Sequence, residues 1–435
     1  MKNIIKILLI IAASTSLFAQ QTLTLEKAIE IALANNYSVL LSKKQTEIAE
    51  NNVSRGNAGQ SFSLDVAGGA KFSSDNTKTK IVGVEGEIAA EGAETNNYNG
   101  SVTLSRTLFD GMGMFIAYDR LKALLEKSEI ELQIAMEDMI RDLVNVYYSI
   151  VRQKENLEIL ESNLSLTKSR YDRVTDRVEY GAASSIELLN AEVDMNADST
   201  EYLLTELELQ NAKRMLNFVL GNSYNESYVL ADEVSFEDLG SINELIDKAD
   251  NLNSFINRAL QDKEINQYDK ELIVASMWPR LNASAGYSYT RQESEGGFMI
   301  LNESRGWNVG LNLSWNVYNG LQTQIRKENA EVMLRMQDIT IERIKSQIEM
   351  NLRNAYDNYQ KRLAILEMEE QSVTTAEENY ERTQNLYDLG NVTSVELRQA
   401  QINLLRSKQR LNNSKYLAKT AETEVMLITG QLLQD

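Results

Sequence analysis

Residues 114–180 contain neither Gly nor Pro, and the same holds for 182–220, 321–389 and 391–429. The whole chain of 435 residues has one Pro, Pro279. Gly frees the backbone and Pro removes a donor and clashes with the preceding turn, so runs lacking both have no built-in helix stop. Each is read as one helix. A helix filling 114–180 is about 100 Å long at ~1.5 Å per residue, which exceeds the depth of an ordinary globular core. Within it, apolar residues recur every three or four positions: Leu132, Met136, Met139, Leu143, Val146, Ile150, Leu157, Leu160, Leu164, Tyr171, Val174 and Val178. Gln153 and Thr167 fill the gaps. This sustained seam predicts coiled-coil packing, with Met136 and Met139 as core knobs. The second-half seam is poorer, with Lys345, Arg362 and Glu369 at equivalent places. Gly181 and Gly390 stop the long helices as C′ glycines. Ser185 and Ser394 are the expected N-caps of the helices that follow, with Glu187 and Glu396 in their first turns.

These matched stops belong to a duplication. An offset of 209 holds without a gap from Leu104 to Gly221. It relates Leu104-Ser105 to Leu313-Ser314, Leu108-Phe-Asp-Gly111 to Val317-Tyr-Asn-Gly320, Tyr171 to Tyr380, Gly181 to Gly390 and Gly221 to Gly430. An offset of 217 aligns the earlier part, Asn36 with Asn253, Leu64 with Leu281 and Gly69 with Gly286, so a loop between the two blocks is shorter in the second half. Each half reads as helix, strand, loop, strand, long helix, tight turn, helix. The expected division is 20–221 for the first repeat, 222–242 for a linker, 243–430 for the second repeat and 431–435 for a tail.

The strands alternate with a period of two. Phe62, Leu64, Val66, Ala70 and Phe72 oppose Ser63, Asp65 and Lys71; Tyr98, Val102, Leu104 and Leu108 oppose Asn99, Ser101, Thr103 and Ser105. Ala283, Ala285, Tyr287 and Tyr289 oppose Asn282, Ser284 and Ser288; Trp307, Val309, Leu311, Leu313 and Trp315 oppose Asn308, Asn312 and Ser314. About eleven such residues suffice for a tilted strand to cross a bilayer. Trp307 and Trp315, roughly 26 Å apart at ~3.3 Å per residue, suit the two interfacial girdles of a barrel. A soluble sheet with one wet face shows the same alternation. Four strands cannot close a barrel, and open edges in lipid leave backbone groups unpaired. Membrane strands here therefore require several chains to share one barrel.

Composition removes other classes. With no His and no Cys, Ser–His–Asp triads, Cys nucleophiles, zinc fingers and disulfide frameworks are excluded. The formal charge of −19 argues against a nucleic-acid binder. No catalytic, cofactor or metal site is expected; Glu85, Glu87, Glu91 and Glu94 are read as solvated charge in the loop between the first two long strands. At the N-terminus, Lys2 and Lys6, the apolar run Ile4 to Ala13 and Leu17-Phe-Ala-Gln20 predict a signal peptide over 1–19, cut after Ala19.

Leu23-Thr-Leu-Glu-Lys-Ala28, Ala32-Leu33, Asn35-Asn36, Leu108-Phe-Asp-Gly111, Tyr180-Gly181 to Ala191 and Trp278-Pro-Arg-Leu281, in this order and with the duplication, make the chain resemble the TolC-like outer membrane efflux protein family. The resemblance implies an α+β membrane protein in the outer membrane lipid. Its fold would be a homotrimeric 12-stranded β-barrel, four strands per chain, continued by a long α-helical coiled-coil tunnel in the periplasm. It also implies docking to a periplasmic adaptor and an inner membrane pump of RND or ABC type, for efflux or type I secretion. The helix tips would form an iris. Glu396 is the expected charged constriction and Glu187 its flanking partner, each six positions after a tip glycine. Gln399 and Asn190 stand where a second acidic ring is often found. Tyr180 and Tyr387 would hold neighbouring coils together, and the tip turns at Gly181, Ser185, Gly390 and Ser394 would meet the adaptor. A soluble periplasmic scaffold or adaptor is the alternative; a carboxylate-only hydrolase has no pocket signal to support it.

Overall fold

The computed structural model describes residues 22–432 apart from 81, 84, 225, 232, 233, 297 and 298. The expected signal peptide and the last tail residues, 433–435, lie outside the described residues. The elements run in the order β1 (Thr22–Leu23), α1 (Leu25–Asn35), α2 (Tyr37–Asn52), β2 (Ser63–Thr79), β3 (Ile88–Phe109), α3 (Gly113–Glu179) and α4 (Ser185–Leu220). Then follow β4 (Val229–Leu230), α5 (Ile242–Leu252), α6 (Ser254–Ala275), β5 (Arg280–Ser294), β6 (Leu301–Ser314), α7 (Gln322–Asp388) and α8 (Ser394–Ile428). Both long helices fill their Gly- and Pro-free runs.

Compactness divides the chain across its repeats. One unit contains residues up to 44 with 130–257 and those from 342 onward; the other contains 45–129 with 258–341. Each repeat supplies segments to both.

The first unit is helical. Its core gathers Leu23, Ala28, Ala32 and Val39 with Met139, Leu143, Tyr147, Ile150, Leu216 and Leu220. Leu132, Met136, Val146 and Leu157 pack against it, so the upper seam is placed as its spacing predicts. Further along α3 the buried stripe shifts: Asn163, Thr167, Arg170 and Val174 are buried, while Leu164, Tyr171 and Val178 are half-exposed. The reason is a polar cluster described below. The asparagines matched by the 217 offset do one job twice. Asn36 Oδ1 accepts from Ser38 N at 2.9 Å, and its Nδ2 donates to Val219 O at 2.8 Å. Asn253 Oδ1 accepts from Phe255 N at 3.0 Å, and its Nδ2 donates to Ile428 O at 2.8 Å. One side chain thus starts a helix and ties it to the end of another. Gly221 and Gly430, both at positive φ, sit against these joints: a Cβ would stand 2.3 Å from Asn35 O or 2.8 Å from Leu252 O.

Two features of this unit were not foreseen. β1 pairs in parallel with β4, Thr22 beside Val229 and Leu23 beside Leu230, within the segment read as linker. Tyr147 fixes this pairing, its hydroxyl meeting Leu23 O at 2.8 Å and Ala231 O at 3.0 Å. The N-caps also differ by one residue. Ser184 and Thr393 are the caps, and Ser185 and Ser394 are the first helical residues. Ser184 and Thr393 adopt the extended backbone a cap needs, with the side-chain oxygen three residues before a free N–H.

The second unit holds an antiparallel sheet in the order β2-β3-β5-β6. The strands are 17, 22, 15 and 14 residues long, longer than the ~eleven that alternation alone marked. The β2–β3 ladder continues to Thr79 opposite Ile88, past a register shift between Asp75 and Thr77. Glu91 and Glu94 therefore lie in β3 and not in a loop, because backbone pairing carries the ladder through residues whose side chains show no alternation. Trp315 falls one residue beyond β6; its Nε1 donates to Met277 O at 3.0 Å. At the foot of the sheet Gly111, at φ +73°, lets the chain turn against Ala275 and Trp278: a Cβ there would stand 2.4 Å from Ala275 O. Among the described residues no helix is long and apolar enough to cross a membrane.

Candidate functional site

At the ends of the helical hairpins, Gly181 and Gly390 take positive φ of 73° and 74°. Open space surrounds the place of their absent Cβ, so both turns face outward. After each turn an acidic residue stands at the third helical position. Glu396 closes a capping box: its Oε2 accepts from Thr393 N at 2.7 Å and from Thr393 Oγ1 at 2.8 Å, and Thr393 Oγ1 accepts from Glu396 N at 3.3 Å. The backbone hydrogen bond from Thr393, aided by its hydroxyl, holds the Glu396 carboxyl below its ordinary value, so it carries a full charge at neutral pH. Glu187 turns instead to Arg177 of the same hairpin, Oε1 lying 3.8 Å from Nη1.

Arg177 also donates to the Tyr387 hydroxyl at 3.1 Å. Tyr387 is buried, with the Arg173 and Arg177 guanidiniums within 6.0 and 5.9 Å of its ring. Arg173 also meets Asp388 at 3.1 Å. Of the residues expected at a gate, Glu187 and Tyr387 are thus brought together, through an arginine that the sequence reading did not single out. Tyr180 is exposed and separate. Gln399 donates to Asn403 Oδ1 at 2.9 Å along its own helix, and Asn190 is exposed.

Behind the tips lies a buried cluster of two acids and two arginines. Asp198 on α4 accepts from Asn163 Nδ2 at 2.9 Å and Thr167 Oγ1 at 2.6 Å on α3, and from Arg398 on α8 through two bonds of 2.8 Å. Gln401 on α8 donates to Thr167 Oγ1 at 2.7 Å and Asn163 Oδ1 at 2.9 Å. Arg170 pairs with Asp194, which also lies 3.5 Å from Arg398 Nε. Burial pushes the Asp198 carboxyl up, but the hydrogen bonds from Arg398, Thr167 and Asn163 and the Arg398 charge outweigh it and hold the group below its ordinary value. A fork-to-carboxylate pair with further hydrogen bonds to the carboxylate is the form in which buried charge is tolerated; Arg170 Nε and Arg398 Nε make no hydrogen bond. It joins the second hairpin to the first. Sequence reading missed it because Thr167 looked like a gap in an apolar stripe, while Asn163 and Arg170 stand one residue before the seam positions Leu164 and Tyr171. The available signal was the recurrence of polar residues at 163, 167, 170 and at 194, 198.

The sheet presents one apolar and one polar face. Leu64, Leu104, Ala285 and Val309 form one row across it, and Val66, Val102, Tyr287 and Trp307 the next. Val66, Trp307, Val309 and Leu311 are all at least 70% exposed. The opposite face carries Asp65, Thr103, Gly286 and Asn308 in one row and Ser63, Ser105, Ser284 and Gly310 in another. Trp307 stands on the apolar face, whereas Trp315 lies just past it.

A profile of the outer membrane efflux protein family matches residues 28–222 and 245–431, one match to each repeat. The "Outer membrane protein TolC" of Vibrio cholerae is 20% identical over 326 residues, 74% of each chain. Among solved structures, the CmeC outer membrane channel of Campylobacter jejuni superposes with a TM-score of 0.76 at 18% identity, covering 94% of this chain and 85% of that one. VceC of Vibrio cholerae gives 0.73 at 17% identity, over 93% and 96%. The class these observations define is the outer membrane channel. The chain belongs to the outer membrane efflux protein family.

Proposed function

We propose that three copies of this chain build one export duct across the outer membrane. The observation that carries the reading is the sheet: β2 and β6 are each paired on one side only, and its apolar face is exposed along its length. Unpaired backbone at those edges has no water to turn to in lipid, so β6 of one copy pairs with β2 of the next until the sheet closes. The apolar rows then face lipid and the Ser, Thr and Asn rows face the lumen, as in a water-filled barrel. Trp307 sits at one lipid interface. Trp315, anchored to Met277 O, sits at the other.

The hairpins of the first unit supply the periplasmic passage, and their tips its gate. Glu396, charged and exposed, recurs three times around the pore. Glu187 is held aside by Arg177, and Arg177 with Tyr387 latches the two hairpins of one chain. The tip turns at Gly181 and Gly390 face outward as a docking surface for a periplasmic adaptor, behind which stands an inner membrane pump. The duct itself performs no chemistry. Glu396→Gln tests the gate, since Gln keeps the third position of a capping box while removing the charge. In planar bilayers it lowers the preference for cations over anions; unchanged selectivity and conductance would reject Glu396 as the constriction.

A further inference from the structure

At the foot of the sheet the second repeat carries a cation where the first carries none. The offset of 217 sets Arg280 and Asn282 of β5 against Ser63 and Asp65 of β2. Arg280 opens β5 opposite Ser314, and Asn282 stands between Thr107 and Asn312, all on the polar face. That face holds the arginine in place. Arg280 Nη2 donates to Thr107 Oγ1 at 3.1 Å, and Nε donates to Asn282 Oδ1 at 3.3 Å. Thr107 Oγ1 donates to the same Asn282 oxygen at 3.0 Å. Two bonds occupy that oxygen, so the Asn282 Nδ2 is left to donate elsewhere. Arg280 likewise keeps its Nη1 and forms no ion pair among the described residues.

These donors border a cavity of about 430 Å³ whose lining includes Ser63, Ser105, Arg106, Thr107, Arg280 and Asn282. Two arginines line it and no carboxylate does, in a chain with 63 acidic and 44 basic residues. On this face Asp65 accepts from the Ser63 hydroxyl at 3.1 Å. It lies level with Gly286, about 20 Å along β5 from Arg280 at ~3.3 Å per residue. Such a separation exceeds the screening length of ~8 Å at physiological salt, so Asp65 does not neutralise the arginine. A guanidinium held by two of its edges and open on the third is preorganised for the oxygens of a carboxylate or phosphate.

We propose that this cavity binds an oxyanion, a carboxylate or phosphate group on a solute moving through the lumen. Arg280 Nη1 and Asn282 Nδ2 donate to it, and Arg106 adds a second positive charge. The cavity stands on these side chains alone; its access to solute rests on the duct reading above, in which the polar face lines the lumen. Three copies then set a belt of positive charge around the foot of the barrel, opposite in sign to Glu396.

Inorganic phosphate is the probe. Added to the detergent-solubilised protein at low salt, its phosphorus NMR line broadens. Arg280→Gln weakens the affinity about tenfold or more, as loss of a hydrogen bond to a charged group does. Arg280→Lys retains part of it, because the charge stays and the fork is lost. Asn282→Asp, which copies the first repeat's acid into the cavity, weakens binding without touching the arginine. The thermal midpoint of each variant shows that the loss is read on folded protein. In planar bilayers at about 10 mM salt, where screening extends over ~30 Å, Arg280→Gln lowers the permeability of anions relative to cations, the reverse of Glu396→Gln. Equal line broadening in parent and Arg280→Gln overturns the site and leaves an adventitious ion only. Binding lost with selectivity unchanged overturns the access of solute to it. Channels absent from parent and variants alike overturn the duct reading, while the phosphate titration still decides the site.

Discussion

Arg398 and Asp198 form an ion pair largely shielded from water, their side chains 12% and 6% exposed. Truncating one leaves the other buried and unpaired, so Arg398→Leu costs about 3–5 kcal/mol, read as a fall in the thermal midpoint of the detergent-solubilised protein. Asp198→Ser added to Arg398→Leu recovers most of the loss, because it installs the combination that the other repeat already carries at Leu189 and Ser407. A double variant no more stable than the single one would show that the pair is not the source. The folded-state pKa of Asp198 lies below its ordinary 3.8, so the unfolded state binds its proton first. The stability that Asp198 contributes is complete above 3.8 and is lost as pH falls through the lowered value. Glu137 has the opposite sign. Burial raises it above 4.5, against hydrogen bonds from Ser254 and Gln133, so stability is lost as pH rises through the raised value. Gln at 137 keeps an oxygen to accept from Ser254 and carries no charge. Glu137→Gln therefore melts higher than the parent at about pH 8 and alike at about pH 4; a gain of the same size at both would assign the effect to packing.

At the scale of elements, glycine punctuation decides where each piece stops, and it does so unequally in the two repeats. Gly111 and Gly320 both take positive φ, yet a Cβ at Gly111 would meet Ala275 O at 2.4 Å while one at Gly320 meets nothing within 4 Å. Gly111→Ala accordingly prevents the sheet from seating on its foot and lowers the amount of protein reaching the membrane, whereas Gly320→Ala suffers only the backbone strain. Equal yields of the two in membrane fractions would refute the close approach. The long helices were legible because Gly and Pro mark their ends. The strands were legible where one face is apolar. The extension of β2 and β3 was not, since Thr77, Lys78 and Thr79 pair through backbone with no side-chain pattern to report it. β1 and β4 are two residues each, too short for any period. Asn36 and Asn253 were visible as a repeat before their shared role as helix start and tie was known. Arg177 was invisible because Glu187 meets it only across the hairpin turn and Tyr387 only once the second repeat has folded against the first.

At the scale of the whole molecule, the duplication gives the chain two hairpins and two strand pairs, and an open surface of matching kind remains on each. The edges of the sheet lack their backbone partners, and α4 carries exposed leucines where α8 carries buried residues. In the proposed trimer, further copies of the same chain pair the sheet edges, and the polar face of the sheet then lines the barrel lumen. The central claim is that the chain completes itself only as a membrane-embedded oligomer. The most direct test is the mass and heat sensitivity of the protein extracted in mild detergent from purified outer membranes. The account predicts a complex three times the mass of one chain that falls to monomers only on heating. A monomer recovered from the soluble periplasmic fraction without detergent would contradict it and make the alternating strands an ordinary globular sheet.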